Sequence, residues 1–138
     1  MIGVIDTSAL IRMFVPDGPM VQGMSEFFHG VERGINTALA PELLIAESAN
    51  VIFKKMQKDE LNPDEAKDLM NDILSMPIKL YRHSPLIPQA MELASQHNLT
   101  VYDSLFVALA VQHSAILFSA DEKILKTSTV LGLAPRHY

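Results

Sequence analysis

Four acidic residues stand where apolar segments of this chain end, begin or are interrupted. They are Asp6 and Asp121, which each follow a short apolar run, Asp103, which precedes one, and Glu47, which interrupts one. Carboxylates in such settings are costly to bury unless they are paired, hydrogen-bonded or bound to a cation. If the fold brings the four together, they predict a site for Mg²⁺ or Mn²⁺ and metal-dependent phosphoryl-transfer chemistry.

Composition limits the class of protein. With 138 residues, 49% of them apolar and 20% charged, the chain predicts a single domain, residues 1–138, with a substantial core. The absence of cysteine excludes a disulfide framework, a thiolate metal site and a cysteine nucleophile, and it fits a cytoplasmic protein. We find no signal-peptide pattern and no apolar run long enough to span a bilayer, so we expect no membrane association.

The charge balance argues against a passive nucleic-acid-binding module. The net charge is −5, whereas simple nucleic-acid binders are usually basic. A nuclease remains possible, because a metal ion can neutralise its acidic cluster and its substrate contacts can be local. The five histidines lack the close spacing of zinc ligands, and no glycine-rich phosphate loop is present, which disfavours nucleoside-triphosphate hydrolysis.

Strand-like and helix-like segments alternate along the chain. Strands are predicted over residues 2–6, 35–40, 78–82 and 115–119, with a further short edge strand over residues 131–134. Helices are predicted over the intervening residues 7–14, 20–31, 41–58, 62–74, 84–94, 103–113 and 121–127. This order indicates an α/β protein, a three-layer α/β/α sandwich with a mainly parallel central sheet. Ligands of such sheets bind beyond the carboxyl ends of the strands, where Asp6 and Asp121 lie.

Helix capping is the competing explanation for the three aspartates. Asp6, Asp103 and Asp121 all precede helix-like segments, and Asp is a favoured N-cap residue. Glu47 lies in the middle of a helix and cannot be a cap. Its own face carries Leu43, Leu44 and Val51, and the competing explanation is a glutamate at the edge of the core, paired with a lysine or arginine.

Basic residues near the acids are candidates for contacts to a phosphate backbone. Lys54 and Lys58 continue the Glu47 face of the helix at +7 and +11, although an ordinary solvated helix end is the favoured explanation for them. Arg12 and Lys123 are further candidates that could face the same cleft.

Two serines stand beside the predicted ligands. Ser8 and Ser119 lie two residues from Asp6 and Asp121. Their hydroxyls are predicted to hydrogen-bond the metal ligands or metal-bound water, and capping of helices is the alternative.

Four stretches of this sequence resemble the PIN-domain ribonucleases. They are residues 4–10, 41–47, 100–110 and 119–121, and their order and spacing resemble the family over essentially the whole chain. Length and single-domain layout look most like the toxin subunits of bacterial and archaeal VapBC toxin–antitoxin pairs. The resemblance implies an α/β/α sandwich, cleavage of single-stranded RNA with Mg²⁺ or Mn²⁺, a homodimer, and an antitoxin partner that inserts a segment near the active site.

The resemblance also implies roles for individual residues. It assigns the acidic metal site to Asp6, Glu47, Asp103 and Asp121. The hydroxyl position before the last acid is often Thr or Asn in the family and is Ser119 here. The resulting hypothesis is a metal-dependent ribonuclease that hydrolyses RNA phosphodiester bonds.

Two alternative functions remain at this point. An aspartyl-nucleophile phosphatase would also place Asp after the first strand, but the family we know would have a second Asp where this chain has Ser8. The other alternative is a catalytically inactive PIN-like module that binds protein or RNA. It is disfavoured because such a module has no need of four costly carboxylates.

Overall fold

A four-stranded parallel sheet forms the centre of the computed structural model, which describes residues 1–134. The strands are β1 (Ile2–Ile5), β2 (Thr37–Pro41), β3 (Ile78–Tyr81) and β4 (Ile116–Phe118). Their order across the sheet is β3-β2-β1-β4, and all three pairings are parallel. The predicted parallel sheet is therefore confirmed.

Helices connect the strands and cover both faces of the sheet. They are α1 (Thr7–Phe14), α2 (Met24–Glu32), α3 (Leu43–Gln57), α4 (Pro63–Leu74), α5 (Ile87–His97), α6 (Val101–His113) and α7 (Glu122–Leu131), with a 3₁₀ turn (Ser84–Leu86) before α5. Successive side chains of a strand point to opposite faces, yet consecutive residues Val4 and Ile5 are both fully buried. Burial on both faces is the property of a three-layer α/β/α sandwich. Within residues 1–134, no helix is both long and apolar enough to cross a membrane.

Helix α6 is the buried central helix that its uniformly apolar sequence predicts. Each residue from Ser104 to Ala110 is at most 2% exposed. The helix contacts β1, β2, β4, α5 and α7. The packing of α6 places its first turn, and with it Asp103, at the carboxyl ends of the strands.

Two predicted element boundaries were wrong for reasons of backbone geometry. Helix α2 begins at Met24 and not at Met20, because Gly23 precedes it with φ +87° and interrupts helical geometry. Pro41 was predicted to open α3, but it is the last residue of β2 and pairs with Tyr81.

The predicted edge strand over residues 131–134 is absent from the described part of the chain. Helix α7 extends to Leu131, further than predicted, and Gly132 ends it with φ +72°. A single backbone hydrogen bond of 2.9 Å, from Leu117 N to Leu133 O, joins this segment to β4.

The predicted start of α4 is confirmed as a capping box. Asn62 Oδ1 accepts from Glu65 N at 2.8 Å, and Glu65 Oε1 accepts from Asn62 N at 3.1 Å. We expect Asn62→Ala to lower the free energy of unfolding by about 0.5–2 kcal/mol, because Glu65 N loses its side-chain acceptor at the start of the helix. Urea denaturation measures this, with the exposed mid-helix change Asn71→Ala as control. Equal stability of both variants would contradict the expectation.

Candidate active site

The strand order places a crevice between β1 and β4. The chain leaves β1 toward β2 on one side, whereas β4 is added on the other side of β1. Connections that diverge in this way leave a crevice at the carboxyl ends of the two strands, the usual ligand site of such sheets. Asp6 directly follows β1, and Ser119 and Asp121 follow β4.

A cavity of about 370 Å³ opens at this crevice, and all four acids predicted from the sequence line it. We call it the acidic cavity. Asp6 and Asp121 reach it from the N-caps of α1 and α7, Glu47 from α3 and Asp103 from α6, so the cavity is built from segments far apart in the chain. The remaining lining residues include polar Thr7, Ser8, Arg12 and Asp17, and apolar Ile11, Val51, Phe106 and Ile124.

Asp6 is buried and its two carboxylate oxygens are both hydrogen-bonded. Oδ1 accepts from Ser8 Oγ at 2.7 Å and from Ala9 N at 2.9 Å, and Oδ2 accepts from Ser119 Oγ at 2.7 Å. The side chain is the N-cap of α1 and also lines the acidic cavity, so the two explanations of Asp6 are compatible. Burial raises the pKa of Asp6 from 3.8 to about 6, although the hydrogen bonds from Ser119, Ala9 and Ser8 oppose the rise.

The two predicted serines connect Asp6 to the segment after β4. Ser8 Oγ accepts from Ala120 N at 2.9 Å, and Ser119 Oγ accepts from Asp121 N at 3.0 Å. Each hydroxyl donates to Asp6 and accepts a backbone N–H, so the network fixes the Asp6 carboxylate relative to the start of α7.

Glu47 is half-buried and lacks the basic partner that its structural explanation requires. Among residues 1–134, no lysine, arginine or histidine lies within ion-pair distance of its carboxylate. Thr7 Oγ1 instead donates to Glu47 Oε1 at 2.8 Å. Burial raises the pKa of Glu47, and the negative charge of Asp103 adds to the rise.

Asp103 is not the N-cap that its position before an apolar run suggested. Helix α6 starts two residues earlier, and Thr100 caps it by accepting from Asp103 N at 3.0 Å. The Asp103 carboxylate therefore lines the acidic cavity without a capping role. Burial raises its pKa and the charge of Asp121 raises it further, whereas a hydrogen bond with Thr100 and the charge of Lys123 oppose the rise.

Asp121 combines capping with a place in the acidic cavity. Its Oδ1 accepts from Lys123 N at 2.9 Å and from Ile124 N at 3.1 Å at the start of α7. Within residues 1–134 no hydrogen bond reaches its other carboxylate oxygen, which leaves that oxygen available to a ligand.

The donor set of the acidic cavity fits a hard divalent cation. Its acids interact pairwise, since Asp103 raises the pKa of both Asp6 and Glu47, and Asp121 raises that of Asp103. In the described residues, no three acidic or histidine side chains converge closely enough to hold one ion directly. Mg²⁺ commonly keeps several water ligands and uses one or two carboxylates, so carboxylates that act partly through water suit it.

The basic residues proposed for phosphate contacts differ in position. Arg12 lines the acidic cavity, with its Nη1 donating to Pro19 O at 3.3 Å. Lys123 is exposed but close enough for its charge to lower the pKa of Asp103. Lys54 and Lys58 are exposed and do not line the cavity, whose α3 wall is formed by Glu47 and Val51. Contact of these lysines with RNA remains a prediction.

Sequence reasoning missed one charged pair at the rim of the acidic cavity. Asp17 lines the cavity, and its Oδ1 lies 2.6 Å from Lys55 Nζ, which also contacts Glu60 Oε2 at 3.3 Å. This pair holds the loop between α1 and α2 against α3. Helical spacing from Glu47 pointed to the neighbouring Lys54 and not to Lys55. The contact of Lys55 with Asp17 spans 38 positions of sequence, and no periodicity in the loop predicts it.

The fold and the acidic cavity define an α/β/α protein with a cluster of carboxylates at the carboxyl ends of its parallel strands. The model of the PIN domain matches residues 3–129, nearly the whole chain. This chain belongs to the PIN domain family.

Sequence relatives support this assignment. Ribonuclease VapC3 of Pyrobaculum aerophilum is 27% identical over 126 residues, which covers 88% of this chain and 90% of the relative. Ribonuclease VapC1 of Mycobacterium tuberculosis is 33% identical over 86 residues, 62% of this chain and 63% of the relative.

Solved structures share the fold. A Pyrobaculum aerophilum protein superposes with a TM-score of 0.69 at 19% identity, covering 91% of this chain and 83% of that one. The sarcin-ricin-loop-cleaving toxin VapC20 of Mycobacterium tuberculosis gives 0.63 at 11% identity, covering 99% of each chain. VapBC2 of Rickettsia felis, bound to a promoter DNA fragment, gives 0.54 at 15% identity, covering 85% of this chain and 86% of that one.

Proposed function

We propose that this chain is a Mg²⁺- or Mn²⁺-dependent ribonuclease that hydrolyses phosphodiester bonds in single-stranded RNA, and that it is the toxin of a toxin–antitoxin pair. The observation behind the proposal is the meeting of four carboxylates in one cavity at the crevice of a PIN-domain sheet. Relatives named ribonucleases, one of them similar over 88% of this chain, support the reaction class.

Asp6, Glu47, Asp103 and Asp121 would hold the cation, directly or through water. A bound Mg²⁺ or Mn²⁺ supplies a water of lowered pKa and stabilises negative charge on the attacked phosphate. The raised pKa values of three of these acids indicate mainly the cost of burying their charges, to which repulsion between the acids adds a smaller part. A divalent cation would offset that cost, since opposite charge favours the ionised carboxylates.

Neighbouring side chains hold the acids in position. Ser8 and Ser119 fix the Asp6 carboxylate, and Thr7 fixes one oxygen of Glu47. Such contacts restrict the rotamers of metal ligands and are typical of preorganised sites. Arg12 is the basic side chain that lines the acidic cavity, and we assign it to a phosphate oxygen of the RNA.

The partners follow from the same assignment. We propose an antitoxin protein as partner because toxin–antitoxin complexes such as VapBC2 of Rickettsia felis share the fold. We also propose a homodimer, since Phe53 of α3 and Leu74 of α4 leave apolar surface exposed on two helices that pack together. We also propose a cytoplasmic location, because that is where the proposed RNA substrate occurs.

An aspartyl-nucleophile phosphatase is disfavoured by the residue at position 8. The phosphatase family would have a second Asp there, whereas Ser8 of this chain donates to Asp6 Oδ1 at 2.7 Å.

Substrate class tests the proposal against a binding module. We expect the wild-type protein with Mn²⁺ to cleave labelled single-stranded RNA and to leave DNA of the same sequence intact, since the 2′-hydroxyl lets a protein distinguish the two. Gel analysis of both substrates measures this. Retention of RNA without cleavage in Mg²⁺ and in Mn²⁺ would instead support a catalytically inactive RNA-binding module.

A further inference from the structure

A second, larger cavity opens beside the acidic cavity. Its volume is about 760 Å³, and we call it the apolar groove. Arg12 lines both cavities, and Ser119, which donates to Asp6, also lines the groove. The other walls come from the loop 19–23, α2, β4 and α7, and from Met1 and Asn36 before β1 and β2. The groove is therefore continuous with the proposed catalytic site.

The chemical character of the surface changes at Arg12. Five carboxylates line the acidic cavity, those of Asp6, Asp17, Glu47, Asp103 and Asp121. The apolar groove has one, that of Glu26, and is otherwise lined mainly by apolar side chains. Three of these are exposed apolar side chains: Met1 is 54% exposed, Met20 is 47% exposed and Leu125 is 37% exposed.

We propose that the apolar groove binds a nucleobase of the RNA next to the cleaved phosphate, which rests on the proposed function. An RNA strand alternates charged phosphates with bases whose flat faces are apolar. If one phosphate of the RNA lies at the cation and the next phosphate lies at Arg12, the adjoining base would point into the groove. Apolar and aromatic surfaces bind bases by face contact, largely independently of sequence.

A polar group in the groove suits the edge of a base. Gln22 lines the groove within the loop 19–23 and makes no side-chain hydrogen bond in the described part of the chain. An amide beside an apolar surface can distinguish bases by their exocyclic groups. The groove would thereby select which base adjoins the cut.

Nucleotide binding to the metal-free protein tests the proposal without requiring cleavage. Adenosine, cytidine, guanosine or uridine 5′-monophosphate is added to the ¹⁵N-labelled protein in EDTA. Binding is measured as changes in the amide chemical shifts of the protein. Ribose 5-phosphate is the matched probe that lacks the base. We expect shifts at residues 21–23 and 125–129 with at least one nucleotide and not with ribose 5-phosphate. Equal shifts with both probes, or none at these residues, would overturn the proposal.

A charged residue in the groove should weaken base binding specifically. We expect Leu125→Glu to reduce nucleotide affinity by about 5- to 150-fold, the range of base stacking contributions. Met91→Glu is the matched control, because Met91 is a 58% exposed apolar residue of α5 outside both cavities. Equal affinities of the two variants would overturn the proposal, as would a groove that takes an apolar peptide but no nucleotide.

RNA with single abasic positions gives a second test. The wild type should lose about 5- to 150-fold in cleavage rate when one base beside the cut is removed, and Leu125→Glu should show no further loss at that position. If the loss from removing the base and the loss from Leu125→Glu multiply in the combined experiment, the groove assignment would be overturned. A wild type that binds nucleotide in the groove but cleaves no RNA would instead refute the proposed function and leave the base site standing.

Discussion

Replacing Asp6 by Asn is expected to reduce RNA cleavage by more than about 100-fold and to leave the protein folded. Loss of a residue that only supports a metal ligand already costs about 10–100-fold in metal affinity or activity, and Asp6 would be a ligand itself. Asn removes the negative charge but keeps a side-chain oxygen that can accept from Ala9 N and cap α1.

The measurement is the single-turnover rate on one labelled RNA in Mn²⁺. Asp68→Asn is the matched control, because Asp68 is an exposed acid of α4 that lines neither cavity. Circular dichroism establishes that both variants are folded. A rate for Asp6→Asn within a few-fold of the control would contradict the assignment of Asp6.

The same change is expected to stabilise the protein when no metal is bound. The pKa of Asp6 rises from 3.8 to about 6 on folding, so the ionised carboxylate opposes folding. A shift of that size corresponds to up to about 3 kcal/mol at pH 8. Asn carries no charge and avoids this cost, while one of the two serine hydroxyls must find another acceptor, which reduces the gain.

The sign of the pH dependence follows from the raised pKa. Between pH 3.8 and about 6 the folded protein binds more protons at Asp6 than the unfolded chain does. The contribution of Asp6 to stability therefore falls as pH rises through this window, and the full cost is present above it. Glu47 and Asp103 have raised pKa values and act in the same direction.

Urea denaturation in EDTA at pH 5 and pH 8 measures both effects. We expect the advantage of Asp6→Asn over the wild type to be larger at pH 8. Excess Mn²⁺ should reverse the order at pH 8, because a cation that binds only the folded wild type stabilises it by mass action. An advantage that does not grow between pH 5 and pH 8 in EDTA would contradict the raised pKa of Asp6. Loss of activity with gain of stability in one variant is typical of residues kept for function.

The fold could be predicted where a local pattern dictates the element. The capping box at Asn62 and the all-round apolar sequence of α6 gave helices that the structure confirms. Errors arose where a single backbone torsion decides the boundary, as at Gly23, or where a proline suits two roles, as at Pro41.

The site could be predicted in part for a similar reason. Glu47 stands out because an acid on an apolar helix face has no ordinary place in a core, and the structure brings it to the acidic cavity. Asp17 has no such local signal, since its place depends on Lys55 across 38 positions of sequence. The apolar groove was also missed, because it is formed jointly by a loop, β4 and α7.

The most direct test of the metal-dependent nuclease is the cleavage rate of a labelled single-stranded RNA by one wild-type preparation, first in excess EDTA and then after Mn²⁺ is restored. Our account predicts no cleavage in EDTA, full recovery with Mn²⁺, and no recovery for Asp6→Asn purified in parallel. Cleavage by the wild type that continues unchanged in EDTA would contradict it.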